Sequence, residues 1–263
     1  KSKLTWTTIF DPSTGKSTSA ALIDTNHDMF CPGTAVLPDG RILITGGNAD
    51  GTSPARSTIY DPQKNEWSST TDMNIGRGYH SMTVLEDGSV FVLGGSWSGG
   101  KDGKKDGEVW NYATETWSER PGVPGDAMST SDRRGPYRAD NHMWLFTAPN
   151  GNVFHAGPSK QMNWIDPRRD GGFRRSVLRS DDMDAMNGNA VMFDIGKILT
   201  LGGSPYYDDG AASQRAYVID VTDPGGVAKV ARTAGDMAYP RSLCQSIVLP
   251  TGQVVVVGGM TVT

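Results

Sequence analysis

The sequence has few cysteines, no long apolar run and no excess of one charge sign. Only Cys31 and Cys244 occur among 263 residues, so the chain is neither a small disulfide-stapled domain nor a zinc protein with cysteine ligands. No apolar stretch approaches the roughly 18 residues that a membrane-spanning helix requires. The 25 basic and 29 acidic side chains are interspersed. No surface is therefore dedicated to phosphate or anionic lipid, and neither nucleic acid nor a membrane is expected as a partner.

Glycine, by contrast, is abundant, and much of it falls in a repeat. With 33 Gly and 15 Pro between apolar stretches, the composition is typical of a turn-rich β protein. A short apolar strand followed by a double glycine occurs four times, with second glycines at Gly47, Gly95, Gly203 and Gly259, and a degenerate copy ends at Gly157. A tight turn that contains Gly or Asn precedes these strands, so each copy predicts a hairpin.

Aromatic residues complete the repeat. Tyr60 is followed by Trp67, and Trp110 by Trp117, in the stretches after the first two double glycines. A double glycine at the end of the second strand, a later aromatic pair and a period of ≈ 50 residues are typical of the kelch blade. We therefore predict an all-β chain with the kelch-type β-propeller fold. The double glycines should lie near the central channel, and Trp67 and Trp117 should be buried between blades.

The repeats predict that residues 1–263 form part of one propeller domain and do not close its ring. The copies give four to five blades, and the last copy stops before its outer strands. Residues 5–12 are similar to an outer strand, so the first blade is entered midway. An open ring would expose apolar faces and sheet edges. The remaining part of the same protein, as a longer chain or a second chain, is therefore an expected partner.

Three residues near the double-glycine strands could carry redox chemistry. Cys31 and Tyr79 occupy equivalent places before the inner strands of neighbouring blades, and Trp97 follows the second double glycine. Each has an ordinary alternative: a small buried hydrophobe, a channel-lining hydroxyl and inter-blade packing, respectively. Adjacent blades would bring the three side chains close together.

In combination, these residues resemble the active site of the galactose oxidase family, the fungal copper-radical alcohol oxidases. The resemblance rests on Phe-Cys-Pro-Gly at 30–33, Gly-Gly-Ser-Trp-Ser-Gly-Gly at 94–100, Tyr-Arg-x-Asp-Asn-His-x-Trp at 137–144, and Gly-Gly-Ser-Pro at 202–205. It implies a seven-bladed propeller with a further C-terminal domain. It also implies a secreted, extracellular protein.

The resemblance further implies a copper ion and a protein-derived radical. Cys31 would be joined through sulfur to the ring of Tyr79, which would bind copper and carry the radical, and Trp97 would stack on it. A primary alcohol would lose a proton to a second tyrosine and a hydrogen atom to Tyr79 and leave as the aldehyde, and O2 would then be reduced to H2O2. Copper(II) favours nitrogen and oxygen ligands. The second tyrosine and two histidine ligands are expected outside this chain, because its own histidines do not fall on the family's ligand motifs: His27, His80, His142 and His155.

Substrate-binding residues follow from the same resemblance. Arg138 matches an arginine that holds sugar hydroxyls, and a guanidinium fork suits two neighbouring oxygens. The other candidates are Phe30, Tyr137, Tyr207, Asp208 and Leu243. Asp208 replaces a glutamine and Leu243 replaces a phenylalanine of galactose oxidase. An acceptor-only carboxylate and a lost aromatic face both weaken sugar binding, so aryl or furan alcohols compete with galactose-type sugars as substrates.

Two other functions compete with the alcohol oxidase. A kelch propeller can act purely as a protein-binding module, since the fold alone does not fix function. A glyoxal oxidase acting on aldehydes would share the Cys-Tyr pair, but ordinarily lacks the tryptophan and the arginine context. The pairing of Cys31 with Tyr79 favours an enzyme over a binding module. Cys244 is interpreted as a buried free thiol without a catalytic role.

Overall fold

The computed structural model describes residues 5–19, 21–23, 25–47, 52–95, 105–132 and 142–263. The chain begins with two short antiparallel pairs that form one bent hairpin. Its strands are β1 (Thr5–Thr7), β2 (Phe10–Asp11), β3 (Lys16–Ser17) and β4 (Ala21–Ile23). Strand β1 pairs with β4, and β2 pairs with β3. That the chain opens with outer strands of a blade stays a prediction.

Four antiparallel sheets of four strands follow within the described residues, each ordered as the chain runs. The first blade contains β5 (Gly33–Val36), β6 (Ile42–Thr45), β7 (Ser57–Asp61) and β8 (Glu66–Ser69). The second contains β9 (Ser81–Val84), β10 (Val90–Leu93), β11 (Gly107–Asn111) and β12 (Thr116–Arg120).

A 3₁₀ helix, Gly125–Met128, leads into the third blade. That blade contains β13 (Trp144–Thr147), β14 (Val153–Gly157), β15 (Gln161–Asp166) and β16 (Gly172–Leu178). The fourth contains β17 (Asn189–Asp194), β18 (Lys197–Leu201), β19 (Ala216–Asp220) and β20 (Lys229–Arg232). A last hairpin pairs β21 (Ser242–Val248) with β22 (Val254–Met260). The all-β kelch-type arrangement is thereby confirmed.

The turn between the third and fourth strands has the same cap in every blade. An Asp or Asn at the end of the third strand accepts a hydrogen bond from the backbone N–H two residues later, which stabilises the turn. These acceptors are Asp61, Asn111, Asp166 and Asp220. Asp11 caps the opening hairpin in the same way, with Ser13 N at 2.8 Å. The opening hairpin is thus a third-and-fourth-strand pair.

The hydrophobic core lies between successive blades. Leu43 and Ile59 of the first blade pack with Val90 and Val92 of the second. A further cluster joins the second and third blades, and another joins the third and fourth. Packing between neighbours, and not within one sheet, therefore fixes how adjacent blades meet.

The two outer tryptophans depart in part from the expected burial, since both are only partly buried. Trp117 packs against the cluster between the first two blades and donates its Nε1–H to Thr71 O at 2.9 Å. Trp67 instead contacts Tyr60 of its own blade, with ring centroids 4.7 Å apart. Both tryptophans lie on the outermost strands of their sheets, β8 and β12, where part of each ring remains exposed. Cys244, in contrast, is a free thiol 2% exposed, as expected.

Within the described residues, no helix has the length and apolarity needed to cross a membrane.

Candidate active site

Cys31 and Tyr79 occupy the same strained backbone position in successive blades. Each lies two residues before the first strand of its blade, with φ of 54° for Cys31 and 55° for Tyr79. Left-handed backbone is uncommon for residues other than glycine, and it is frequent at functional sites. The Tyr79 N–H donates to Cys31 O at 3.0 Å. The structure therefore brings the two predicted cofactor residues together at one boundary between blades, which we call the front junction.

The double glycine of the first blade makes this approach possible. Gly47 N donates to Arg77 O at 2.7 Å. A Cβ on Gly46 would lie 2.1 Å from Arg77 O, and a Cβ on Gly47 would lie 2.7 Å from Asp28 O. A side chain at either position would push away the segment that carries Tyr79 or the one that carries Cys31. The crowding predicted at the double glycine is therefore present, and it comes from two backbone segments, the one before Tyr79 and the one before Cys31.

A buried ion pair fixes the segment that leads to Tyr79. Arg77 and Glu108 are both 0% exposed, with Arg77 Nη2 and Glu108 Oε2 3.1 Å apart. Arg77 Nη1 also donates to Gly94 O at 2.8 Å. Glu108 Oε1 accepts from the backbone N–H of Asn74 at 2.7 Å. Each buried charge is therefore compensated by its partner and by the backbone, as burial requires.

Three of the four histidines are buried and hydrogen-bonded to protein. His27 Nδ1 lies 2.8 Å from Thr58 Oγ1, and His155 Nδ1 lies 3.1 Å from Asn163 Nδ2. His80 Nε2 lies 2.7 Å from Thr45 Oγ1 of the neighbouring blade. Burial, and next the charge of Arg77, hold the pKa of His80 well below its usual range. His80 is therefore a neutral brace between blades.

His142 is different, because its ring meets the ring of Tyr79 edge to face. The centroids are 5.6 Å apart and the planes are inclined by 86°. This contact was not foreseen, since the sequence indicated only a structural role for His142. The Asp-Asn-His motif was the available signal, but nothing in its spacing gives the distance to another blade. His142 also lines a cavity of about 260 Å³.

That cavity lies between the third blade, the fourth blade and the last hairpin. Its walls include Trp144 of the third blade, Asn187 at the start of the fourth and Leu243 of the last hairpin. Leu243, one of the predicted substrate residues, is 53% exposed. Tyr207 and Asp208 lie in the loop that follows Gly203, where Asp208 is exposed. Phe30, beside Cys31, is 56% exposed.

The remaining predicted site residues lie outside the described residues: Trp97, Tyr137 and Arg138. Across the described ranges, no group of three or more His, Cys, Asp or Glu side chains could hold a metal ion. Of the predicted metal ligands, only Tyr79 belongs to this chain, and its role stays a prediction. A copper site built on Tyr79 would draw its other ligands from elsewhere.

The chain is similar to several known proteins. A family model described as the Kelch motif matches residues 30–74. Galactose oxidase of Gibberella zeae is 40% identical over 97% of the chain, which covers 38% of that protein. The aldehyde oxidase GLOX of Vitis pseudoreticulata is 26% identical over 88% of the chain, which covers 44% of it. A solved structure described as a novel fungal alcohol oxidase with catalytic diversity among the AA5 family, in complex with copper, matches 100% of the chain and 53% of its own length. Its TM-score is 0.91 at 36% identity.

Fold, repeat and motif together define the chain as a kelch-type β-propeller protein. Within that class it is a homologue of galactose oxidase along nearly its whole length. The chain spans between 38% and 53% of the length of these oxidase relatives.

Proposed function

We propose that this chain supplies the Cys31–Tyr79 part of the active site of a copper-dependent oxidase of primary alcohols. The reaction converts the alcohol to the aldehyde, and O2 accepts the two electrons and two protons to give H2O2. The observation that carries the proposal is the identity of the two residues at the front junction, a cysteine and a tyrosine, which the hydrogen bond from Tyr79 N–H to Cys31 O at 3.0 Å holds next to each other. It occurs in a homologue of galactose oxidase.

The two residues have distinct roles in this proposal. Tyr79 binds the metal through its phenol oxygen and serves as a one-electron acceptor, and Cys31 joins the ring of Tyr79 through a thioether. A thioether next to the phenol oxygen donates electron density and lowers the potential at which the ring is oxidised. Copper, when bound, supplies the second one-electron acceptor that a two-electron oxidation requires. By the resemblance to galactose oxidase, Trp97 would stack on Tyr79 and protect the radical from solvent.

The other metal ligands, a second tyrosine and two histidines, come from the remaining part of the same protein. The chain spans 38% of its galactose oxidase relative, which leaves room in the whole protein for the missing blades and a C-terminal domain. Residues 1–263 therefore form one part of a single propeller domain. We also propose that the protein is extracellular.

The substrate class follows from the substrate-binding residues that the resemblance assigns. Arg138 and Tyr137 would bind hydroxyl groups of the substrate, and Phe30 and Tyr207 would contribute to its binding site. The exposed carboxylate of Asp208 accepts but cannot donate a hydrogen bond when it is ionised. Leu243 offers an aliphatic surface, which stacks on a sugar ring less well than an aromatic face does. We therefore propose a galactose-type sugar or an aryl or furan alcohol as the substrate.

The direct test is peptide mapping of the copper-treated protein in the presence of O2. We expect the Cys31 and Tyr79 peptides to be joined and lighter by two hydrogens than their sum. Tyr79→Phe is the matched control, since it keeps the ring but removes the phenol, and it should leave Cys31 free. Cys244, which is buried and free, is an internal standard for alkylation. Separate peptides with a freely alkylated Cys31 would refute the cofactor and favour a protein-binding propeller.

An aldehyde substrate is a second candidate, because the relative from Vitis pseudoreticulata is named an aldehyde oxidase. Peroxide release from the whole copper-loaded protein, measured with galactose, benzyl alcohol and glyoxal, separates the candidates. Turnover of glyoxal alone would overturn the alcohol assignment while the cross-link remained intact.

A further inference from the structure

The loop from Ser204 to Gly210 is held at its centre by two side chains that hydrogen-bond the backbone of Tyr207. The Tyr207 N–H donates to Oδ2 of Asp132 at 2.8 Å. The Tyr207 carbonyl accepts from Nδ2 of Asn187 at 3.2 Å. Asp132 is only 2% exposed, so its side chain is a buried acceptor, and losing a hydrogen bond at a buried site is costly because no water replaces it. The backbone of Tyr207 is thereby clamped.

Asn187 continues the same network to the last hairpin. It has φ of 57°, a left-handed conformation that asparagine tolerates better than most residues. In this conformation its backbone carbonyl accepts the N–H of Leu243 at 2.6 Å. One side chain and one carbonyl of Asn187 therefore connect Tyr207 to Leu243.

The other end of the network is anchored as firmly. Ser131, the residue before Asp132, donates to Asp184 Oδ2 through both its backbone N–H, at 2.7 Å, and its hydroxyl, at 2.5 Å. Asp184 is 9% exposed and also accepts from Lys160 N at 2.8 Å. The segment that carries Asp132 is thus fixed to the loops around the third blade before it reaches Tyr207.

We propose that Asp132 is a positioning residue that acts through Tyr207 and Asn187 to set the places of two substrate-binding residues, Asp208 in its loop and Leu243 on the cavity wall. This inference rests on the proposed oxidase function. Asp208 directly follows the clamped residue, and Leu243 is exposed on the cavity wall. Asp132 hydrogen-bonds the backbone of Tyr207 in this loop, so the inference assigns it to holding the substrate and not to the Cys31–Tyr79 chemistry.

The first test is amide hydrogen exchange of the copper-treated protein, read on the peptide that contains Tyr207. Asp132→Ala removes the acceptor and should speed exchange of the Tyr207 amide by about ten-fold, the scale of one hydrogen bond to a charged group. Asp132→Asn retains an acceptor oxygen and should keep most of the protection. Asp126→Ala is the matched control, because Asp126 is exposed in the preceding 3₁₀ helix. Unchanged exchange in Asp132→Ala, or an equal change in Asp126→Ala, would overturn the inference.

The second test is steady-state kinetics of the whole copper-loaded oxidase. Asp132→Ala should raise KM for the alcohol several-fold while kcat changes less than about two-fold, because misplaced binding groups weaken ground-state and transition-state binding alike. A fall in kcat at constant KM would contradict a positioning role. If the unmodified protein releases no peroxide, the proposed function fails, whereas faster Tyr207 exchange in Asp132→Ala would still establish the clamp. The two failures are therefore distinguishable.

Discussion

Two boundaries between blades share one backbone design but carry different side chains. At the front junction, Tyr79 N–H donates to Cys31 O; at the rear junction, between the fourth blade and the last hairpin, Leu243 N–H donates to Asn187 O. All four residues have φ between 54° and 57°.

The glycine and arginine contacts recur as well. Gly47 N donates to Arg77 O at the front, and Gly203 N donates to Arg241 O at the rear, at 2.7 and 2.8 Å. Strained backbone at this position is therefore a property of the blade boundary. It does not by itself mark an active site, and the chemistry at the front comes from the Cys and Tyr side chains.

The two junctions differ most in the burial and the partners of their arginines. Replacing each arginine with methionine should therefore lower the stability by different amounts. Arg77 is fully buried against Glu108, whereas Arg241 is partly exposed and donates Nη1–H to Gly258 O. Arg77→Met leaves a buried carboxylate without its partner, which should lower the free energy of unfolding by about 3–5 kcal/mol. Arg241→Met should cost about 1 kcal/mol. Urea denaturation of both variants measures the difference, and equal losses would show that the Arg77–Glu108 pair gives the front junction no special stability.

The double glycines, by contrast, should matter equally at both junctions. A Cβ on Gly46 would meet Arg77 O at 2.1 Å, and a Cβ on Gly202 would meet Arg241 O at 2.2 Å. Combining left-handed backbone with this overlap, Gly46→Ala and Gly202→Ala should each destabilise by about 3 kcal/mol. Gly40→Ala is the control, since Gly40 has φ of 86° and open space around it. It should lose about 1 kcal/mol. Losses no larger than that of the control would disprove the crowding argument.

How far the sequence predicts the structure follows from the same contacts. The double glycine can be recognised in the sequence because any side chain there would place its Cβ about 2 Å from a backbone oxygen of the next segment. Only glycine fits, so the repeat of double glycines identifies the fold and its blades. Cys31 and Tyr79 are recognisable by their motifs. His142 against Tyr79, and Asp132 against Tyr207, join segments from different parts of the chain. Their contacts depend on the conformations of loops, which no periodic pattern in the sequence predicts.

A lysine at the front junction should add a pH dependence that its counterpart lacks. Lys105 O accepts from Gly94 N in the second blade, as Arg215 O accepts from Gly202 N in the fourth. Burial, and next the charge of Arg77, lower the pKa of Lys105 to about 8. The unfolded chain, with a lysine pKa of about 10.4, binds more protons between these values, so this group makes the protein more stable as the pH rises from 8 to 10.

Lys105→Met removes that contribution. The stability of the variant relative to that of the parent chain should be greatest at pH 7. This difference in stability should shrink as the pH approaches 10. Arg215→Met is the matched control, because arginine stays charged over this range and its variant should show a constant difference. Melting temperatures at several pH values provide the measurement. A pH-independent difference for Lys105→Met would mean that the lysine pKa is not depressed in the folded chain.

The smallest expected effect comes from a difference in backbone strain between the two residues of the rear junction, Asn187 and Leu243. Asparagine tolerates left-handed backbone, whereas leucine there is strained by about 1–2 kcal/mol. Leu243 is 53% exposed, so little burial is lost when its side chain becomes polar. Leu243→Asn should therefore raise the free energy of unfolding by about 0.5–1 kcal/mol. Leu178→Asn, at a leucine 49% exposed in β16, relieves no such strain and should be neutral or destabilising. Chemical denaturation measures both variants. If Leu243→Asn destabilised the protein as much as Leu178→Asn, the contacts of the Leu243 side chain would outweigh its backbone strain, and Leu243 would contribute to stability.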